Sequence, residues 1–204
     1  MKYIKKKNIT FLLSGGGSNL YKILKKNLTS KKFNPISIIS NNQVSKQIKE
    51  LIKSNELEIN FYEKVSNLKA KLLGDCDIVF SVGYLKKINS EIIENYEIIN
   101  LHPSLLPKYK GLMTHKRMLI NNEIKYGYSI HRVTKYLDDG KILSQRQKNI
   151  STYSENELSS KHKLFEHQCV FKDLVSFFKL ILIQQKRIQF LFLHSHQSHY
   201  REQS

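Results

Sequence analysis

A short apolar run that ends in a glycine cluster, ITFLL at 9–13 followed by Ser14, Gly15, Gly16, Gly17, Ser18 and Asn19, constrains this chain more than any other feature. The run reads as a buried strand. The glycines let the backbone turn sharply into a helix, whose first N–H groups lack partners and attract an anion. The unit then repeats, with strand-like runs at 35–40, 58–62 and 77–84 separated by helical periodicity near 18–28, 44–54 and 64–73. This βαβ rhythm predicts an α/β fold: an open, mostly parallel twisted sheet with helices on both faces.

Beyond it the sequence predicts a helix near 88–94, a strand at 97–100, a turn-rich segment at 102–111 and a helix near 114–121. Two more strands, 126–133 and 141–150, flank a turn at Asp138, Asp139 and Gly140. From about Glu155 to Lys186 one or two helices carry an apolar face through Leu158, Leu164, Phe165, Val170, Leu174, Val175, Phe178 and Leu182. At 204 residues the expected organisation is one domain over 1–186 and a peripheral tail over 187–204. His194, His196 and His199 of that tail lack the spacing of a helical metal pair.

Composition narrows the function classes. No apolar run is long enough to cross a bilayer and no secretory leader is evident, so the expected compartment is the cytoplasm. Cys76 and Cys169 allow at most one disulfide and are expected as buried fillers. A net charge of +17 would concentrate any anion, whether phosphate metabolite, folate or nucleic acid. Most of that charge is scattered lysine, with no arginine-rich helix or Cys/His finger, so it reads as a solvated surface and nucleic acid is not the expected partner.

The glycine cluster admits two readings. It lacks the Gly-Lys-Ser/Thr ending of an ATP-binding loop, and no acidic residue closes the second strand as dinucleotide binding requires. A small phosphorylated ligand fits, and so does a tight turn alone. A second constellation, Asn100-Leu101-His102-Pro103, places Asn100 and His102 on one side of a strand that Pro103 ends, at the carboxyl edge where open α/β sheets bind ligands. A histidine there can move a proton or stabilise an oxyanion, an asparagine can orient a carbonyl, and Asp138 can tune the imidazole. An isolated Asn-x-His is also a common structural feature, and His115 and His131 compete for the histidine's role.

The segments INLHPSLLPKYKGLMTH and YGYSIHRVTKYLDDGKILSQ closely resemble the folate-dependent formyltransferases, and LLSGGGSNL resembles the phosphate loop of their purine-biosynthetic branch. The resemblance covers about 9–175 and implies a formyltransferase-like, Rossmann-type fold. It implies formyl transfer from 10-formyltetrahydrofolate to the amine of glycinamide ribonucleotide, by a monomer or homodimer that needs no metal. By the same resemblance Asn100, His102 and Asp138 are the catalytic trio, with His102 protonated to stabilise the oxyanion and Asp138 relaying the amine proton. Gly16, Gly17, Ser18 and Asn19 match the phosphate loop, and Glu166 matches a ribose-contacting carboxylate. Leu85, Lys86, Lys87 and Ile88, with Tyr136, Leu137, Asp138, Asp139 and Gly140, match the folate pocket. The chain departs from the pattern in a shortened loop after Asn41, in Lys86 for an arginine, in Met113 for a histidine and in Asp139 for a small residue. These departures leave an amino sugar nucleotide as an alternative acceptor. A basic nucleic-acid-binding α/β protein is the non-enzymatic alternative.

Overall fold

The computed structural model describes residues 6–151 and 154–199. In chain order the elements are β1 (Lys7–Leu13), α1 (Ser18–Ser30), β2 (Phe33–Ser40), α2 (Lys46–Ser54), β3 (Asn60–Tyr62), β4 (Ile78–Val82), α3 (Ser90–Asn95), β5 (Ile98–His102), α4 (Thr114–Ile120), β6 (Lys125–Arg132), β7 (Ile142–Asn149) and α5 (Glu155–His199). The strands form one sheet in the order β3-β2-β1-β4-β5-β6-β7. The first five are parallel, and β6 and β7 run antiparallel to their neighbours.

Successive residues of the central strands are buried, because both faces of the sheet are covered. On β1, Phe11 packs against Phe80 and Phe33 on one face, and Phe33 meets Phe171 of α5. Its neighbour Leu12 joins Ile39, Val79, Ile98 and Ile92 of α3 in the cluster on the other face. Such burial stabilises each large apolar side chain by about 1.5–3 kcal/mol. At the α1–β2 turn the Asn27 amide donates to the Phe33 carbonyl and accepts from the Lys32 and Phe33 N–H groups. That bracket holds Lys31 at φ 47°, a left-handed conformation that ends the helix.

After β3 the chain returns to the other side of β1, so the sheet's topological switch point lies between β1 and β4. Two bonds close that edge: Ser14 N–H donates to the Gly83 carbonyl and Leu85 N–H to Ser14 Oγ. Ligands of open α/β sheets bind at this kind of crevice.

Three expectations are corrected. The helix expected over 64–73 is a single 3-10 turn, Ala70–Leu72. Its chain is tied elsewhere: Val65 N–H bonds the Ser40 carbonyl, and Gly74 turns left-handed at φ 67°. The apolar face of the last helix holds at Leu158, Phe165 and Val170, but Leu164 is 61% exposed. Cys76 and Cys169 are free thiols, half-buried rather than buried.

By internal contacts the chain divides into one unit ending at Phe171, which holds the whole sheet, and a helical one beginning at Lys172. Past Lys186 α5 runs on as one element to His199. The side chains of Leu182, His194, His196 and His199 lie outside the described residues.

Candidate active site

Strand alternation turns Asn100 and His102 to one side at the end of β5, and the antiparallel pairing with β6 sets Asn100 opposite His131. Asp138 enters from the turn between β6 and β7, where its backbone is left-handed at φ 46°. His102 Nδ1 lies 3.3 Å from Asp138 Oδ2, and His131 Nε2 lies 3.5 Å from Asp138 Oδ1. Asn100 Nδ2 is 3.2 Å from His131 Nε2, while Asn100 Oδ1 accepts from Ser81 Oγ at 2.7 Å. Asn100 and His102, both on β5, and the distant Asp138 therefore stand in one cluster.

The remaining nitrogen of His102, Nε2, lies 2.9 Å from the Tyr109 carbonyl. Both ring nitrogens face acceptors, which favours a second proton, but burial outweighs them and lowers the His102 pKa. In the free site this favours the neutral ring. Burial alone would raise the Asp138 pKa, yet hydrogen bonds from His131 and from Gly111 N–H outweigh it and hold the carboxyl below its ordinary value. The Gly111 bond, 2.8 Å long, and an ion pair between Lys110 and Asp139 fasten the segment after β5 onto the 138–139 turn.

Gly17 caps α1 in a left-handed conformation, φ 75°. A Cβ there would lie 2.7 Å from Ile48 Cδ1 and 2.8 Å from Leu13 Cδ1, so the turn is shaped for glycine. The 13-residue helix behind it directs its free N–H groups at the loop. Asn19 Nδ2 donates to Glu166 Oε2 at 2.7 Å, and Ser18 Oγ lies 3.2 Å from His167 Nε2. The loop residues and Glu166, predicted separately, thus meet. Burial pushes the Glu166 carboxyl up to about 7 despite the Asn19 bond.

Behind Glu166 is a pair that the sequence reading did not assemble. His115 Nε2 is 2.7 Å from His162 Nδ1, and His162 Nε2 faces Glu166 Oε1 at 3.8 Å. Burial, reinforced by the neighbouring His115 and His102, drives the His162 pKa down to about 3. The i,i+4 spacing of His162 and Glu166 on α5 was the available clue.

Among the residues matched to the folate pocket, Leu85, Tyr136 and Leu137 are exposed. Ile88 belongs to the core cluster instead, so its side chain supports the segment from beneath. Lys86 Nζ donates to the Ser66 carbonyl, and with Lys87 and Tyr84 it lines a cavity of about 450 Å³. At Gly140 a Cβ would fall 1.9 Å from the Arg132 carbonyl oxygen, so only glycine fits. Met113, 60% exposed, caps α4 at φ 57°. Among the described residues no group of three or more His, Cys, Asp or Glu side chains is placed to hold a metal ion, and no helix is long and apolar enough to cross a membrane.

Comparison with known proteins agrees with the fold. Residues 7–174 match the formyl transferase family. Phosphoribosylglycinamide formyltransferase of Escherichia coli is 27% identical over 184 residues, spanning 84% of this chain and 86% of that protein. The chloroplastic enzyme of the same name from Vigna unguiculata is 29% identical, spanning 81% of this chain and 59% of that protein. Among solved structures, phosphoribosylglycinamide formyltransferase from Coxiella burnetii superposes with a TM-score of 0.72 at 26% identity, covering 85% of this chain and 87% of that one.

Proposed function

Because this chain belongs to the formyl transferase family, we propose that it moves the formyl group of 10-formyltetrahydrofolate onto the amine of glycinamide ribonucleotide, a step of purine biosynthesis. The observation that carries this reading is the Asn100–His102–Asp138 cluster at the carboxyl edge of the sheet, with His102 buried and the other two half-buried. Relatives spanning most of the chain bear the name phosphoribosylglycinamide formyltransferase, which supports the purine acceptor.

The folate co-substrate supplies an activated formyl carbon, and the exposed Leu85, Tyr136 and Leu137 suit its ring system. As the acceptor amine forms its bond to that carbon, His102 takes the proton the amine releases. Asp138, held ionised, balances the imidazolium that results. Asn100 donates an N–H to the formyl oxygen while it carries negative charge. The His102 proton then passes to the folate nitrogen as its bond to carbon breaks, so the amine loses one proton and the folate gains one. Gly16, Gly17, Ser18 and Asn19 hold the acceptor phosphate, and Glu166 meets its ribose. Lys86, Lys87, Asp139, Gly140 and the Ile88 backbone complete the folate side.

The reaction is assigned to residues 1–186, with 187–204 peripheral. We place it in the cytoplasm, as a monomer or homodimer that uses no metal.

The test is steady-state release of tetrahydrofolate with glycinamide ribonucleotide as acceptor, comparing the native chain with His102→Ala. Acceptor-dependent turnover, reduced by His102→Ala at least 100-fold, is the expected result. Folded, folate-binding protein that turns over only with an amino sugar nucleotide would overturn the purine assignment.

A further inference from the structure

A primary amide has two ends of opposite polarity, and the end Asn100 turns to the cleft decides whether it donates or accepts there. His131 Nδ1 lies 2.8 Å from the Arg132 carbonyl, which can only accept, so Nδ1 carries the proton. His131 Nε2 stands 3.2 Å from Asn100 Nδ2 and 3.5 Å from Asp138 Oδ1. The opposite end of the amide meets Ser81, whose hydroxyl donates to Asn100 Oδ1 at 2.7 Å.

Ser81 is an unusual residue for its place. It is 3% exposed on β4, whose other members, Ile78, Val79, Phe80 and Val82, are buried and apolar. The parallel register sets Ser81 directly beside Asn100. A hydroxyl in such a strand costs free energy unless its hydrogen bond is made, and here the bond goes to Asn100.

We propose that Ser81 is a positioning residue for formyl transfer: its hydroxyl holds the Asn100 amide oxygen so that an N–H, not the carbonyl oxygen, faces the reacting formyl group. The Nδ2 group is thereby left to face the formyl oxygen. Oδ1 is occupied by Ser81, so Asn100 acts as a donor to the developing oxyanion. This inference rests on the formyl-transfer reading, but the geometry of the lock can be measured without turnover.

Ser81→Ala removes the hydroxyl with little change in shape, and Ser81→Thr restores it. In Ser81→Ala the rate constant kcat is expected to fall about tenfold with the KM values of both substrates within twofold, the loss of one hydrogen bond that matters in the transition state. Ser81→Thr is expected to recover most of that rate. The second readout is nitrogen NMR of the His131 ring and the Asn100 side-chain amide. Native protein and Ser81→Thr should give the same Asn100 amide and His131 ring resonances. In Ser81→Ala the freed amide rotates, and both sets of resonances move. Unchanged resonances in a folded Ser81→Ala protein would overturn the proposal, as would a kcat loss that Ser81→Thr does not rescue. Native protein without turnover would sink the formyl-transfer reading alone, while the resonances would still decide whether Ser81 holds the amide.

Discussion

Replacing Glu166 by glutamine tests the electrostatics of the phosphate-loop side of the site. The Glu166 carboxyl is 8% exposed, and burial raises its pKa from an ordinary 4.5 to about 7. In the unfolded chain it loses its proton near the lower value and in the folded chain near the higher one. Between them the folded state holds the extra proton, so the stabilisation is complete below pH 4.5 and is lost as pH rises through 7. A rise of about 2.5 units at 1.36 kcal/mol per unit corresponds to about 3 kcal/mol. Glutamine does not titrate, and its Oε1 can still accept from Asn19 Nδ2. Glu166→Gln should therefore gain about 3 kcal/mol relative to the native chain between pH 4.5 and 8. Urea unfolding of both proteins at pH 4.5, 6 and 8 at fixed ionic strength measures the gap. Other titrating groups act on both proteins alike and largely cancel. A gap that stays flat with pH would refute the reasoning, since it would mean that the carboxyl is ionised throughout, paired with a protonated His162 in place of a neutral one.

Two further outcomes follow from other contacts. His162 has the opposite sign: its folded pKa, about 3, is below the ordinary 6.5, so native stability is lost as pH falls from 6.5 toward 3, and His162→Gln should flatten that acid limb by several kcal/mol in the same unfolding experiment. At Gly127 a Cβ would lie 1.9 Å from the Arg146 carbonyl oxygen, so Gly127→Ala should force β6 and β7 apart and lower stability by at least about 3 kcal/mol, seen as a large drop in Tm.

The strands were legible because each is an apolar run in a repeated βαβ unit, and buried parallel strands carry that pattern in their own residues. The stretch 64–73 was not, because helical periodicity there competes with contacts from distant segments. Glu63 binds Val44 N–H and Lys49, and Val65 binds the Ser40 carbonyl, which commits the chain before a helix can start. At the site, Asn100 and His102 were legible from strand alternation and the proline after them, and Asp138 from its motif. Ser81 became visible only with sheet register, which also set His131, already a candidate, beside Asn100: each meets Asn100 through strand pairing, across 19 and 31 residues of chain. Serine in a strand of Ile, Val and Phe was the one local hint.

The net charge of +17 says little about the interior. Burial lowers the pKa of His102, His115 and His162 and raises that of Glu166, in each case toward the neutral form. Asp138 alone in these two clusters is shifted toward its charged form, because His131 and Gly111 donate to it. The fold thus keeps a carboxylate beside His102 Nδ1 while favouring a neutral imidazole. A neutral ring can accept the amine proton, and the charge it then gains is met by one already in place. Removing the carboxylate would leave the buried imidazolium unbalanced, which makes Asp138 a partner of the charged state of His102 more than of its resting state.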